Sequence, residues 1–540
     1  MTHCYVLGAV PSWITNWLTP LWLLGTGALV GLILLVVLWG LAYLLSRLPF
    51  LGDIGARDRE SSLPRVIQPI LAIFSRRAVG EVPSVVREGP LWPLFVVTLC
   101  FAAFGIFGAF FAKDPLSLLS SFGRVPFVGT QTTTAMVEVS KPVDPNDEYS
   151  PLSAQQVPAR FRSDEIRSIV ILSDQKLTVA AQPFDDVKPG APLEVSADEA
   201  LTWKQGEQTV NSFVVDDVEY LYIRNLGDAP ANVTLTLTTA PPYPQVLTIP
   251  MTALAVVVVF LLYLCQQAAA PRMSAVALAT YKSETAQPLF MIIMWLGGFL
   301  LALFVFIPYN TFGEDIKMLK DSGLTLVMIL GIVQAVWGAS QSVSEEIEGR
   351  TALSVLSKPI GRRSFILGKF LGITWTVVQL FVILGVVLLV VVAYKPIYDA
   401  KESATSDITW QLCHLEMVYT VPGLVLAFME TVVLASLSVA ISTRLPLLAN
   451  FVICFVVYLL GHLVPLIVQS SSVQLAPVQF FGQLIGTVLP VLDHFNIQAA
   501  VAAGASVPLE YLAWTLVYCT IFSTIAMLLA LVLFEDRDLA

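Results

Sequence analysis

The stretch SEEIEGRTALSVLSKPIGRRSFILGKFLG, residues 344–372, is the longest charged interruption in the second half of an otherwise apolar chain. In helical register its apolar residues, among them Leu353 and Leu356, fall on one side of residues 344–358, whereas Glu346 falls on the other. This pattern predicts an amphipathic helix. A helix of about 14 residues is marginal alone in water, so we expect it to lie on a surface.

The charges and the proline of this stretch support the helix. Glu346 precedes Arg350 by one helical turn, which is the favourable order for an ion pair. Pro359 ends the helix. Arg362 and Arg363 then flank the next apolar segment, where long cationic side chains reach the membrane interface.

The surface beneath this helix has two alternatives, lipid headgroups or another protein. Glu345, Glu346 and Glu348 would be repelled by anionic lipid, and the helix has no polybasic face. The charges therefore favour a second protein.

The whole chain has the composition of an integral membrane protein. Of its 540 residues, 56% are hydrophobic and 13% are charged, whereas roughly a quarter are charged in soluble domains. A spanning helix needs about 20 mostly apolar residues. Nine segments meet this requirement: residues 21–45, 91–112, 247–265, 288–307, 323–339, 366–394, 418–441, 446–468 and 511–534. A tenth apolar run, residues 478–495, is interrupted by glycine, proline and Asp493, which predicts a re-entrant or interfacial helix.

Lysine and arginine residues predict the orientation of the spans. They collect in the loops after the first, third, fifth and seventh spans, and such loops face the cytoplasm. The N-terminus is then outside and the C-terminus is cytoplasmic. No charged residue precedes Arg47, so the positive region of a signal peptide is missing and the first span is expected to stay in the membrane.

Residues 113–246 differ abruptly from the rest, because they are polar and acidic. Alternating stretches such as IRSIVILSD and ANVTLTLTT, separated by Asp, Asn, Gly and Pro, predict a β-sandwich-like extracytoplasmic domain. NLGDAPAN, residues 225–232, predicts a hairpin turn. The predicted organisation is two spans with cytoplasmic loop 49–90 in residues 1–112, the β-rich domain in 113–246, a third span and cytoplasmic linker in 247–274, and six spans in 275–540.

Candidate metal ligands and cysteine pairs are sparse. The acidic pairs Asp185–Asp186 and Asp216–Asp217 could ligate calcium, but no D-x-[DN]-x-[DN]-G loop is present. The four histidines have no ligand spacing, so we predict no metal site, and we expect no nucleic-acid partner. Cys4 and Cys413 could both face outward, and a disulfide between them is one alternative.

Glu430 falls near the middle of the seventh predicted span, where an acid costs about 2.5 to 3.5 kcal/mol on insertion scales. Three roles remain open: lining a substrate path, relaying a proton, or a structural hydrogen bond to a neighbouring helix. The candidate polar partners of Glu430 are His462, Gln334 and Gln379. These three residues and Glu430 are the candidates for a transport pathway.

The charged stretch resembles the cytoplasmic segment between the second and third core spans of permease subunits in type-2 ATP-binding-cassette (ABC) transporters. The positions that carry the resemblance are Glu346, Thr351, Leu353, Leu356, Pro359, Arg362, Arg363, Gly368 and Lys369. The end of the chain, LVLFEDRDL, is also similar to that family's last span and short charged tail. The resemblance covers residues 275–540, although Arg350 stands where the family often has glycine.

The resemblance implies a membrane permease subunit, with residues 344–358 as a coupling helix that docks on a separate ATPase subunit. ATP and Mg²⁺ would be bound by that ATPase, and this chain would bind no cofactor. Gly368-Lys369 is no phosphate-binding loop, because Arg363 stands where G-x-x-x-x-G-K requires glycine and Phe370 stands where Ser or Thr should follow.

The resemblance further implies a second permease chain in a dimer and a bacterial plasma membrane. Two functions are left open: ATP-driven movement of a substrate, expected to be export, or transmission of ATP-driven motion to an extracytoplasmic partner of the β-rich domain. A membrane enzyme is disfavoured, because the spans hold no paired carboxylates and no H-E-x-x-H.

Overall fold

The computed structural model describes most of the chain in two compact units. The described residues are 11–47, 76–142, 152–184, 192–204, 217–307, 314–348, 361–403, 408–469, 480, 486, 489–502 and 504–535. One unit comprises Met1–Lys113 with Pro250–Ala540, and the other comprises Asp114–Ile249.

Long apolar helices dominate the first unit. The α-helices of the whole chain are α1 (Ser12–Ser46), α2 (Arg76–Glu88), α3 (Leu91–Phe107), α4 (Pro115–Arg124), α5 (Thr248–Ala269), α6 (Pro271–Thr285), α7 (Pro288–Phe304), α8 (Asp315–Ala339), α9 (Glu345–Glu348), α10 (Arg362–Ser403), α11 (Trp410–Ser442), α12 (Leu447–Gln469), α13 (Gln498–Ala502) and α14 (Leu509–Glu535).

Within the described residues, seven helices are long and apolar enough to cross a membrane. They are α1, α3 with the 3₁₀ turn that follows it, α5 with the turn that precedes it, α8, α10, α11 and α14. The pair α6 and α7, bent by 65°, gives an eighth span if it crosses as one. The prediction of a polytopic helical protein is confirmed. The count differs from nine because residues 288–307 form only half of the bent pair, and because only the Leu447–Leu463 part of α12 is counted, as a shorter apolar helix.

Small residues allow the spanning helices to approach closely. A Cβ atom on Gly25 of α1 would lie 2.7 Å from the carbonyl oxygen of Phe101 in α3. On α8, a Cβ on Gly331 would lie 2.6 Å from the ring of Phe381 in α10. Without a hydrophobic driving force between helices in lipid, such close packing holds the bundle together.

The second unit contains two four-stranded antiparallel sheets. The strands are β1 (Thr130–Val137), β2 (Gln155–Arg162), β3 (Ile166–Ser173), β4 (Leu177–Ala180), β5 (Leu193–Val195), β6 (Leu201–Lys204), β7 (Asp217–Asn225) and β8 (Ala231–Thr239). The strand orders are β1-β8-β3-β6 and β2-β7-β4-β5. One buried core combines Ile169 and Leu235 of the first sheet with Leu177 and Leu221 of the second, so the inserted β-sandwich-like domain is confirmed.

The connection between β7 and β8 corrects one prediction. NLGDAPAN was expected to form a hairpin, but β7 pairs with β2 and β4, whereas β8 pairs with β1 and β3. The turn therefore carries the chain from one sheet to the other. Asn225 stabilises it, because its side-chain Oδ1 accepts a hydrogen bond from the Gly227 N–H at 2.9 Å and its Nδ2 donates to Ala229 O at 2.8 Å.

Candidate functional site

The predicted coupling helix begins where α8 changes its helical geometry. After Ala339 the chain forms a π-helix, Ser340–Ser344, and then the short helix α9. Insertions of π-helical geometry are rare and occur often at functional sites. Of the predicted coupling residues, Arg350, Thr351, Leu353, Leu356 and Pro359 lie outside the described residues, as does the side chain of Glu348.

Glu346 joins the start of this segment to α10. Lys369 Nζ lies 2.5 Å from Glu346 Oε1, and the Lys369 ammonium also lies 5.4 Å from the centre of the Phe365 ring. Lys369 is only 6% exposed, so this cation is largely removed from water. The sequence pattern paired Glu346 with Arg350, whereas the structure places Glu346 beside Lys369, 23 residues along the chain.

A second buried acid, Glu284 of α6, lies within electrostatic range of both Lys369 and Glu346. Gln334 of α8 donates its Nε2 to Glu284 Oε2 at 3.5 Å. Gly338 leaves room for this carboxylate, since a Cβ there would lie 2.8 Å from Glu284 Oε2. Polar and charged side chains of α6, α8, α9 and α10 therefore meet at the start of the predicted coupling helix. Sequence reasoning missed Glu284, because its chain neighbours Lys282, Ser283 and Thr285 are polar and give no signal that the acid is buried.

Asn450 of α12 holds the π-helix to α11 and α12. Its Nδ2 atom lies 2.8 Å from Ser340 Oγ, 2.7 Å from Ser438 Oγ and 2.9 Å from Ser442 Oγ, and its Oδ1 accepts a hydrogen bond from Cys454 Sγ at 3.3 Å. Asn450 and the three serines are 0% exposed. We call these four residues the Asn450 cluster; it joins the π-helix that follows α8 to α11 and α12 through one fully buried amide.

Arg362 and Arg363 lie at the first positions of α10. Arg362 Nη1 donates to the backbone oxygen of Glu535, at the end of α14, at 2.9 Å. A cation at this position satisfies a carbonyl that the helix itself leaves unpaired. The side of the molecule that carries the predicted coupling segment thus also includes the end of the last span.

Glu430 of α11 is 1% exposed, and the structure brings His462 of α12 to it, with His462 Nε2 at 3.5 Å from Glu430 Oε1. The other two predicted partners lie elsewhere. Gln379 accepts a hydrogen bond from the Tyr281 hydroxyl, and Gln334 contacts Glu284.

The tautomer of His462 follows from its second contact. His462 Nδ1 lies 3.0 Å from the carbonyl oxygen of Tyr458, and a carbonyl can only accept, so Nδ1 carries a proton. The Nε2 atom faces the Glu430 carboxyl group. The pair therefore sets a buried carboxyl group beside an imidazole nitrogen, two side chains that can each bind a proton.

Two buried lysines near the other end of α8 and α10 were also missed by sequence reasoning. Lys320 of α8 is 0% exposed and pairs with Glu416 of α11. Lys395 of α10 lies 2.9 Å from Asp399 and donates to Val305 O at 3.2 Å. A lysine at the edge of an apolar segment is a signal for such a pair, but the sequence does not identify the partner.

Comparison with known proteins shows the family. The sequence profile of the ABC-2 family transporter proteins matches residues 81–539, so the chain belongs to this family of ABC transporter membrane proteins. A search of curated proteins found no match. The family match is wider than the resemblance over residues 275–540, because it also includes the β unit and the second and third predicted spans.

Membership in this family identifies the chain as a membrane subunit of an ABC transporter, and it implies partnership with an ABC ATPase subunit. The apolar helices agree with a multi-pass membrane protein. Cys4 lies outside the described residues, so a disulfide with Cys413 remains a prediction.

The first prediction concerns Glu430. We expect Glu430→Gln to leave the melting temperature in detergent nearly unchanged, because glutamine has the size of glutamate and its amide N–H can donate to His462 Nε2, which lies against the Glu430 side chain. If the pair binds a proton during the working cycle, the ATP turnover of the complex should fall and lose its dependence on pH. Thr431→Val, at the next position of α11, is the control. Unchanged turnover and pH dependence in Glu430→Gln would leave Glu430 with a structural role.

Proposed function

We propose that this chain is the transmembrane permease subunit of an ABC transporter, which couples ATP hydrolysis by a separate ATPase subunit to export of a substrate across the plasma membrane. It acts as a dimer of two permease chains, with the N-terminus outside and the C-terminus in the cytoplasm. ATP and Mg²⁺ are held by the ATPase, and residues 344–358 form the contact with it.

The observation that carries this proposal is the set of polar contacts at the start of residues 344–358. Glu346 is paired with Lys369 of α10, and the preceding π-helix is held by Asn450 to α11 and α12. A displacement of residues 345–358 would therefore be transmitted to four helices, α8, α10, α11 and α12. Such contiguous polar contacts are suited to carry energetic coupling between two sites.

The proposal sets an energetic requirement on this coupling. A shift of an inward-facing to outward-facing population from 1:99 to 99:1 needs about 5.5 kcal/mol of differential affinity. A single exposed ion pair contributes about 0 to 1 kcal/mol. Buried contacts on several helices, as found here, are therefore a better means of transmission than a surface charge alone.

A second function is favoured by the β unit, which has its own two-sheet core and lies within the family match. In this alternative, ATP-driven motion acts on an extracytoplasmic partner through the β unit and no solute moves. The two alternatives differ in the role of Glu430: export through a polar path needs it, whereas transmission to the β unit does not.

Affinity purification from the native membrane in mild detergent tests the ATPase partnership. We expect a small ATPase to co-purify with the wild-type chain but not with the double variant Glu346→Arg, Leu353→Asp. The first substitution reverses a charge, and the second places an acid on the apolar face of the predicted helix. Proteins bound to both are identified by mass spectrometry, and ATP hydrolysis of each eluate is measured.

The control is Glu314→Arg, which removes an exposed acid from a surface ion pair near the start of α8 and should retain the ATPase. Circular dichroism must show the same helical content for all three proteins. Recovery of the ATPase with the double variant, or its absence from the wild type, would contradict the proposed contact.

A further inference from the structure

The short helix α4 exposes an apolar face that neither sheet covers. Leu116 is 81% exposed, Leu119 is 45% exposed, and Phe127, in the 3₁₀ turn just after the helix, is 68% exposed. The opposite face of α4 is buried through Leu118 and Ser121. The other exposed large apolar residues of the described β unit are separated along the chain: Met136, Leu172, Tyr220, Leu226 and Leu247. A concentrated apolar face of this kind marks an interaction surface.

The rotation of α4 is fixed by hydrogen bonds within the β unit. Arg124 donates from Nε and Nη2 to the two carboxylate oxygens of Glu165, at 2.6 and 2.9 Å. Glu165 is 2% exposed, and its hydrogen bonds raise the pKa of Arg124 above the ordinary value. The guanidinium therefore stays charged, and its two hydrogen bonds hold one face of α4 against the start of β3, so the apolar face cannot turn inward.

The position of α4 along the chain identifies what covers this face. The candidate span Leu91–Phe110 ends five residues before Pro115, a distance of about 18 Å at most for an extended chain. In addition, Ser121 Oγ accepts a hydrogen bond from the Tyr243 N–H at 3.1 Å, and the candidate span Pro244–Ala269 begins at the next residue. α4 is thus tied to the ends of two spans, where the bilayer surface must lie.

The chemistry of the exposed face agrees with a lipid surface. Besides Leu116 and Leu119, the exposed positions of α4 are Ser120 and Gly123, neither of which is charged. No carboxylate on this face opposes anionic headgroups, and leucine and phenylalanine are the side chains that amphipathic helices bury at the boundary of headgroups and acyl chains.

We propose that α4 is an interfacial membrane helix, with Leu116, Leu119 and Phe127 inserted into the lipid headgroup region beside the ends of the two adjacent spans. The helix thereby fixes the start of β3 at the bilayer surface through the Arg124–Glu165 pair. This inference does not depend on the ATPase partnership or on what the protein transports.

Depth-dependent quenching in lipid nanodiscs tests the proposal on the full chain. An environment-sensitive fluorescent amino acid is placed at position 116 or, in separate proteins, at position 119. Position 172 is the control, because Leu172 is also exposed and apolar but lies near the far end of β3, about 23 Å from Glu165 at the rise of a strand. The nanodiscs contain phosphatidylcholine and phosphatidylglycerol, with or without lipids brominated near the headgroup end of the acyl chain.

We expect brominated lipids to quench positions 116 and 119 at least about threefold more than position 172, and iodide in solution to quench only position 172 strongly. Strong iodide quenching at position 116 without an effect of brominated lipid would show a water-exposed helix and overturn the proposal. Protection of position 116 from both quenchers would show that protein covers this face, either a second copy or another partner, and would overturn it as well.

Discussion

Reversing the charge of Lys369 is expected to uncouple the permease from its ATPase. Lys369→Glu places a third acid beside Glu284 and Glu346, where the wild-type chain has a buried cation. Removing one partner of a buried pair costs about 3 to 5 kcal/mol, and less where one partner is partly exposed. Because 31% of the Glu346 side chain is exposed, we expect Lys369→Glu to weaken the interaction between α9 and α10 by about 2 kcal/mol. This energy corresponds to a decrease of about 30-fold in the coupling of the permease to its ATPase.

The measurement is the ratio of ATP hydrolysis by the reconstituted complex to hydrolysis by the isolated ATPase. We expect the exchanged pair, Glu346→Lys with Lys369→Glu, to bring this ratio back towards the wild-type value, because it restores one contact between opposite charges. The matched control is Lys317→Glu, which breaks an exposed i,i+3 pair with Glu314 and should change the ratio little. A Lys317→Glu defect as large as that of Lys369→Glu would remove the special role of the buried pair.

The second large effect is expected at Asn450. Asn450→Ala removes the amide that three buried hydroxyl groups share, and a buried polar group that loses its partner costs about 1 to 3 kcal/mol. We expect the variant to lose about 3 kcal/mol in total and to unfold at a clearly lower temperature in detergent. Thermal unfolding, followed by circular dichroism or by a thiol-independent dye, measures this change.

Two further variants show whether the lower melting temperature comes from the hydrogen bonds of the Asn450 cluster or from a general loss of packing. Ser442→Ala removes one hydroxyl and should show a smaller loss than Asn450→Ala. Thr524→Ala, on an exposed face of α14 where the hydroxyl only bonds the carbonyl of its own helix, should show nearly none. Equal melting temperatures for Asn450→Ala and Thr524→Ala would contradict the role assigned to the cluster.

The spans could be predicted from sequence because lipid imposes a simple rule. Every backbone polar group must be satisfied within the segment, so a spanning helix needs a run of apolar residues that local composition reveals. Each of the nine predicted segments overlaps a helix. The number of complete spans was harder to predict, since Pro288 marks the start of a helix but does not give the 65° angle between α6 and α7.

The candidate site was only partly predictable. Glu430 stood out because an acid inside an apolar segment requires compensation, and His462 was among its candidate partners. The contact of Glu346 with Lys369 was not predicted, because local spacing favoured Arg350 and long-range pairs depend on how helices cross. Likewise, the turn signals at residues 225–232 marked a turn but did not show which sheet the next strand would join.

The contact between residues 344–358 and an ABC ATPase is the central claim of this account, and site-specific photo-crosslinking in the native membrane tests it most directly. A photoreactive amino acid replaces Leu353, on the predicted apolar face, and in a control protein it replaces Met136, which is exposed on β1. We predict that position 353 crosslinks to a protein identified as an ABC ATPase, in a yield that ATP changes, and that position 136 does not. Crosslinks from position 353 to lipid or to the permease itself, without any ATPase, would contradict the claim.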